Sequence, residues 1–325
     1  MEKHAVKRDA VANSAVENTA VEKIVSLLPS ATEIVCALGF REALVGRSHE
    51  CDFPAGVETL PVCTAPRMDP AGSSLEIDRQ VRTLLREALS IYDLDLGRLE
   101  ALQPQVIVTQ TQCDVCAVSL EQVEQAAAQC LRDDTRLVAL EPVSLDAVWD
   151  DMRKVAAALN APERGETLVT GLQARMEAVA ARAAGLSRRP TLAAIEWIEP
   201  LMMGGNWMPR LAAMAGGEAV LAAADRPSPM VEWEALREAD PDAIIVIPCG
   251  FDLARTRAEA ETLRALPGWS DLKAVRNGRV ALADGHHYFN RPGPRLVESL
   301  EILAEVIHPA DFSFGHKGAG WVLMG

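Results

Sequence analysis

The stretch "KIVSLLPSATEIVCALGF", Lys23 to Phe40, decides how the rest of the chain is read. Ile24 to Leu28 is a short apolar run without alternation, the pattern of a strand buried on both faces. Pro29 ends it. Ser30 and Glu33 stand at capping-box spacing and Gly39 supplies a stop, which predicts a helix over residues 31–38. A strand feeding directly into a helix opens a βα unit, and the remainder should then alternate in the same way.

Working outward, brief strand-like runs follow in "ALVGRS" (43–48) and "TLPVCT" (59–64). Residues 73–92 carry Leu75, Val81, Leu84, Leu85 and Leu89 at helical spacing, so an amphipathic helix is expected there. "LGRLEALQPQVIVTQ" (96–110) gives a helix, a proline and a buried strand, and Ser119 with Gln122 marks the next helix start. Residues 144–185 are helical throughout, with a break at Ala161–Pro162. The strand rhythm returns in "TLAAIEW" (191–197), in "WEALREADPDAIIVIPCG" (233–250) and in the unit beginning "GRVALAD" (278–284). The segments 96–110 and 233–250 form a weak internal repeat: helix end, proline, apolar strand. Two α/β lobes with mostly parallel sheets, joined by a long helical segment, account for this order. The boundaries expected are a disordered or weakly helical tail over 1–22, an N-terminal lobe over 23–142 with a helical insertion at 67–93, a helical bridge over 143–186, a C-terminal lobe over 187–308 and a tail over 309–325.

A chain of 325 residues, 49% apolar and 24% charged, has the composition of a globular protein. The formal charge of −14, with no basic stripe, argues against a nucleic-acid partner. No apolar run reaches the length of a membrane span, and the N-terminus has no signal-peptide core, so a cytoplasmic location is expected. The seven cysteines are an odd number in a long chain, which favours free thiols or metal ligands over a disulfide scaffold.

In open parallel sheets, ligands bind beyond the carboxyl ends of the strands. The residues that fall there are Ser30 and Thr32; His49, Glu50 and Cys51; Cys63 and Thr64; Gln110, Gln112, Cys113 and Cys116; Trp197 and Glu199; Cys249; and His286, His287, Tyr288 and Phe289. Thiols, imidazoles and aromatics are scarce in this chain and gather at these positions. The C-x-x-C of Cys113 and Cys116 reads as a metal clamp, a redox pair or two small packed residues. Cys51, with His49, Cys63 or His286, would complete a shell for zinc or an iron–sulfur cluster. Of the adjacent His286 and His287, only one is expected to face a ligand. Trp197, Trp207, Trp233, Tyr288 and Phe289 offer flat apolar walls, although Trp233 begins a helical segment and suits a core equally. Cys36 and Cys130 lie within helical patterns and read as core. "MGGNWMPR" (203–210) lacks the phosphate-loop pattern, and no nucleophile elbow, zincin motif or carboxylate pair is present, so nothing demands an enzyme.

The segments "IVSLLPSATEIVCALGF", "LVGRSHECDFP", "LEALQPQVIV", "MMGGNWMPRLAAMAGGEAVL" and "YFNRPGPRLVESLEIL" give the chain, over residues 23–308, a resemblance to the cobalamin-binding proteins of ABC importers. More widely, it resembles the importer binding proteins for iron chelates and haem. The resemblance implies a class III periplasmic-binding-protein-like architecture: two Rossmann-like lobes bridged by a long helix, clasping a ligand and moving little. It implies binding of a small-molecule metal chelate, cobalamin or a relative, rather than catalysis. The family's pocket segments correspond to Glu50–Asp52, the stretch near Thr64, Gln110–Cys113, Trp197–Pro200, Glu232–Trp233 and His286–Phe289. The metal would meet Cys51, Cys113, Cys116 or His286. The family also grips its permease through one acidic residue per lobe. The second falls at Glu234 but the first at Gly97, with Asp95 and Glu100 nearby, so permease docking is not implied. A cysteine-ligated zinc or iron–sulfur protein on the same fold is the alternative expectation.

Overall fold

The computed structural model describes residues 20–87, 90–111 and 120–325. The tail expected over 1–22 therefore lies, up to residue 19, outside the described residues. From there Val21 is already buried, and Gln105 accepts hydrogen bonds from the backbone of Glu22 and Lys23.

Strand β1 (Ile24–Ser26) lies between β2 (Leu44–Arg47) and β5 (Val106–Gln110), and β6 (Arg136–Leu140) pairs with β5, all four strands parallel. The run is apolar throughout because both faces are covered. Ile24, Val106 and Val108 face the side of α1 (Pro29–Ala37) and α5 (Leu145–Ala158). Val25, Leu27 and Ile107 face that of α3 (Leu96–Leu102) and α4 (Leu120–Cys130). The insertion expected over 67–93 is bracketed by a separate antiparallel pair, β3 (Thr64–Pro66) with β4 (Tyr92–Leu94). Its helix α2 (Ser74–Arg86) starts from a complete Ser73–Glu76 capping box.

The bridge is two helices, broken where expected: α5 ends at Ala158 and α6 (Pro162–Ala184) begins with a proline in its first turn. Beyond it, β7 (Thr191–Trp197), β10 (Ala243–Val246) and β11 (Val280–Ala283) are parallel. The short β8 (Met202–Met203) and β9 (Glu218–Ala219) both pair with β7. Helices α7 (Met208–Met214) and α11 (Leu296–Ile307) cover one face, and α8 (Trp233–Ala239), α9 (Leu253–Arg264) and α10 (Lys273–Arg276) the other. The segment expected to trail as a tail over 309–325 instead completes this sheet. β12 (Trp321–Leu323) pairs antiparallel with β11, and the Trp321 indole donates to Glu305 at 2.6 Å.

The internal repeat is structural. α3 ends on Gln103 and α8 on Asp240, both left-handed, at φ 45° and 36°, and each is followed by a proline and a buried parallel strand. A single cluster of buried side chains runs from Ile24 and Val106 through Trp149, Met152 and Met176 to Ala243 and Ala281. The lobes therefore share one core along the bridge and face each other across a seam on the other side. Among the described residues, no helix is long and apolar enough to cross a membrane.

Candidate binding site at the lobe seam

Two strand-end segments meet at the seam. In the first lobe, the turn after β2 carries His49 to Asp52, and α1 lies alongside with Glu33. In the second, β11 leads into Asp284 and then a single π-helical turn, Gly285–Phe289, closed by a hydrogen bond from the Asn290 N–H to the Gly285 carbonyl. Gly285 is required there: a Cβ would fall 2.2 Å from the Pro248 carbonyl oxygen.

Asp52 is the meeting point. Its Oδ2 lies 2.7 Å from His286 Nε2 and 3.3 Å from His287 Nε2, and its Oδ1 accepts from Arg291 Nη1 at 2.7 Å. Arg291, 4% exposed at its side chain, also donates to Glu33 Oε1 at 3.1 Å and approaches His286 Nε2 to 2.6 Å. Asp284 holds His287 from behind, accepting its backbone N–H and meeting its Nδ1, each at 2.8 Å. Beside this cluster the Arg295 guanidinium lies between Phe53 of the first lobe and Tyr288 of the second, 4.2 and 4.3 Å from the ring centres.

Burial and charge set the protonation states. Burial pushes Glu33 up to about 7 despite Arg291 and Arg295, and does the same to Glu50 despite Arg291. Asp52 also feels burial, but hydrogen bonds from His286, His287 and Arg291 hold it far below the usual carboxylate range. The two carboxylates, Asp284 first and then Asp52, raise His287 to about 9.

The adjacency of His286 and His287 does not separate them, contrary to expectation: the π turn aims both Nε2 atoms at one oxygen. The Ser30–Glu33 capping box is not formed either. Pro29 takes the first helical position, Leu28 becomes the N-cap without a side-chain bond, and Glu33 turns to the opposite lobe. Among the described residues, Ser30 Oγ and Glu33 Oε2 are left buried without partners. Cys51 is buried with Sγ 3.0 Å from Thr32 Oγ1, and burial pushes its thiol up to about 12. Thr64 is buried against His49, its Oγ1 2.8 Å from Nδ1, and burial together with Arg47 lowers His49 to about 4. Cys63 lies in the core of the first lobe. Gln110 is buried at the end of β5, whereas Gln112, Cys113, Cys116 and Ser119 lie outside the described residues.

Of the aromatics, Trp197 packs on Phe251, whose carbonyl accepts from the His286 N–H at 3.0 Å, so this pair borders the π turn. Trp197 Nε1 donates to the carbonyl of Glu199, itself exposed. Trp233 stacks on Trp269 in the second lobe's outer core, and Phe289 is fully buried. Glu33, Asp284 and Arg291 are the seam residues absent from the expected set, and Asp52 entered it only as the end of the pocket segment Glu50–Asp52. Asp52 and Arg291 stood in the quoted segments "HECDFP" and "NRPGPR", and nothing local showed that they pair.

With fold and site in view, the comparisons give the class. The family described as periplasmic binding protein matches residues 24–286, and the chain belongs to it. An uncharacterized ABC transporter substrate-binding lipoprotein of Bacillus subtilis is 23% identical, covering 90% of this chain and 81% of its own length. A vitamin B12-binding protein of Vibrio vulnificus is also 23% identical, over 87% of this chain and 89% of its own. Among solved structures, a periplasmic heme binding protein from Pseudomonas aeruginosa superposes with a TM-score of 0.68 at 20% identity, covering 90% of this chain and 94% of that one.

Proposed function

We infer that the protein is a non-catalytic substrate-binding protein that holds a metal chelate, of corrinoid or related type, between its lobes. The observation that carries this reading is the convergence of Asp52 from one lobe with His286, His287 and Arg291 from the other, at the strand ends where such folds take their ligands. An imidazole here would supply an axial ligand to the chelate's metal. Trp197 with Phe251, and Tyr288, would cover its apolar faces. The named relatives that take vitamin B12 or heme support the same ligand class. A large ligand must displace Arg291 from Asp52, so binding and the seam ion pairs compete.

Hydroxocobalamin and haemin, each titrated into the purified protein, test this. The expected result for one of them is a shifted visible spectrum that His286→Ala abolishes, with stabilisation of about 2.7 kcal/mol at a hundredfold excess over Kd. No spectral change and no thermal shift with either would overturn the reading.

A further inference from the structure

We propose that Asp52, His286 and His287 form a lobe-bridging site for a divalent transition-metal ion, bound by two imidazoles and one carboxylate with no thiolate. The site goes beyond the chelate reading, because an ion fits at the seam without the lobes parting.

Among the described residues, these three are the one set of His, Cys, Asp or Glu side chains whose ligand atoms lie within 4.8 Å of one another. Two donors on an ion with bonds of about 2.0–2.2 Å stand roughly 3.0–3.4 Å apart. The two Nε2-to-Oδ2 separations, 2.7 and 3.3 Å, need only small adjustment. Imidazole and carboxylate together suit zinc, cobalt, nickel or iron better than magnesium or calcium. The support behind the ligands is present too: Asp284 fixes His287 through Nδ1, leaving Nε2 turned to the site, as carboxylate–histidine–metal arrangements require.

A second observation points to a cation. His286 Nε2 lies 2.7 Å from a carboxylate oxygen and 2.6 Å from a guanidinium nitrogen. A ring nitrogen carries either a proton or a lone pair. If it carries the proton, it faces the Arg291 N–H donors; if the lone pair, it faces the Asp52 oxygen. One of the two contacts is unsatisfied in either state, and a cation between Nε2 and Oδ2 resolves it. Arg291 then needs another acceptor, and Glu33 provides one. It already takes Nη1 through Oε1, and its buried Oε2 has no partner, so the guanidinium can turn to a two-point pairing there.

The metal is met either free in solution or as the open-sided centre of a chelate, and the experiment separates the two. Cobalt(II) chloride is titrated into the full chain after chelator treatment, followed by visible absorption and thermal melting, with hydroxocobalamin in a parallel arm. Expected is one cobalt per chain, with ligand-field bands and no thiolate-to-cobalt charge-transfer band. His286→Ala and Asp52→Asn should each weaken it at least a hundredfold, Asp284→Asn about ten- to hundredfold, and Cys51→Ser not at all. Melting curves of the apo variants identify any that fail to fold, and Asp52→Asn, isosteric and partly exposed, keeps the test open if a histidine variant does. No cobalt binding, a thiolate band, or binding unchanged in Asp52→Asn overturns the site. Hydroxocobalamin binding without cobalt binding overturns this site and leaves the chelate reading standing; cobalt binding without hydroxocobalamin binding supports this site and leaves the chelate reading to the haemin titration.

Discussion

The first lobe brings acids to the seam, and the second brings bases with Asp284 behind them. Glu33, Glu50 and Asp52 come from α1 and the turn after β2. His286, His287, Arg291 and Arg295 come from the segment between β11 and α11. Each face alone would repel itself and keep its charges in water; together they form a latch whose central guanidinium is almost wholly buried. The contrast teaches that the polar groups of the seam are joined by charge complementarity, whereas the bridge helices join the lobes through shared apolar core.

The largest expected break comes from Arg291→Met, which leaves Glu33 buried without its cation. A loss of about 3–5 kcal/mol is expected at pH 8, measured by denaturant unfolding, and a clearly smaller one at pH 5, where Glu33 is protonated. Equal losses at both pH values would mean that Glu33 is not the acid that matters, leaving Asp52, ionised at both, or packing to hold the latch. Next, Gly285→Ala forces a methyl group onto the Pro248 carbonyl, with a cost of about 2–3 kcal/mol expected and the His pair withdrawn from Asp52. Histidine NMR titrations unchanged from the parent protein would refute this.

Away from the latch, Glu196 at the end of β7 shows what burial does to an acid without a cation. Burial raises it to about 7 against a hydrogen bond from Ser228. Because the folded state holds the proton more tightly than the unfolded one, its contribution is present at low pH and is lost as pH rises from about 4.5 through 7. Glu196→Gln should therefore match the parent near pH 4 and exceed it by about 3 kcal/mol at pH 8; a parallel pair of pH profiles would refute the shift. The smallest effect belongs to the strap that α2 lays across the lobes, where Ser74 donates its hydroxyl and its backbone N–H to Glu259. Ser74→Ala should cost about 0.5–1.5 kcal/mol and weaken protection of the α2 amides in hydrogen exchange.

Much of the architecture was legible because burial leaves a plain signature. The apolar runs at 24–28, 191–197 and 280–283 are strands, and the break at Ala161–Pro162 divides the bridge. β6 carries the same signature in "RLVAL", although it is not among the expected strands. β12 was not legible, because a three-residue edge strand is set by its pairing partner rather than by its composition. The site shows where local rules stop. Ser30 and Glu33 have capping-box spacing, but the preceding proline moves the helix start and frees Glu33 for a residue 258 positions away. Adjacent histidines point apart in ordinary backbone, and "GHHYF" gives no sign of the π turn that aims both at Asp52.

The continuous core through α5 and α6 also governs how the molecule comes apart. Each sheet has a cluster of its own on its outer face, but Trp149, Met152 and Met176 belong to one cluster that reaches both sheets, so unfolding either half opens a core that the other half needs. Heating should therefore produce one calorimetric transition, not two, with the enthalpy from the area under the peak equal to that from its sharpness.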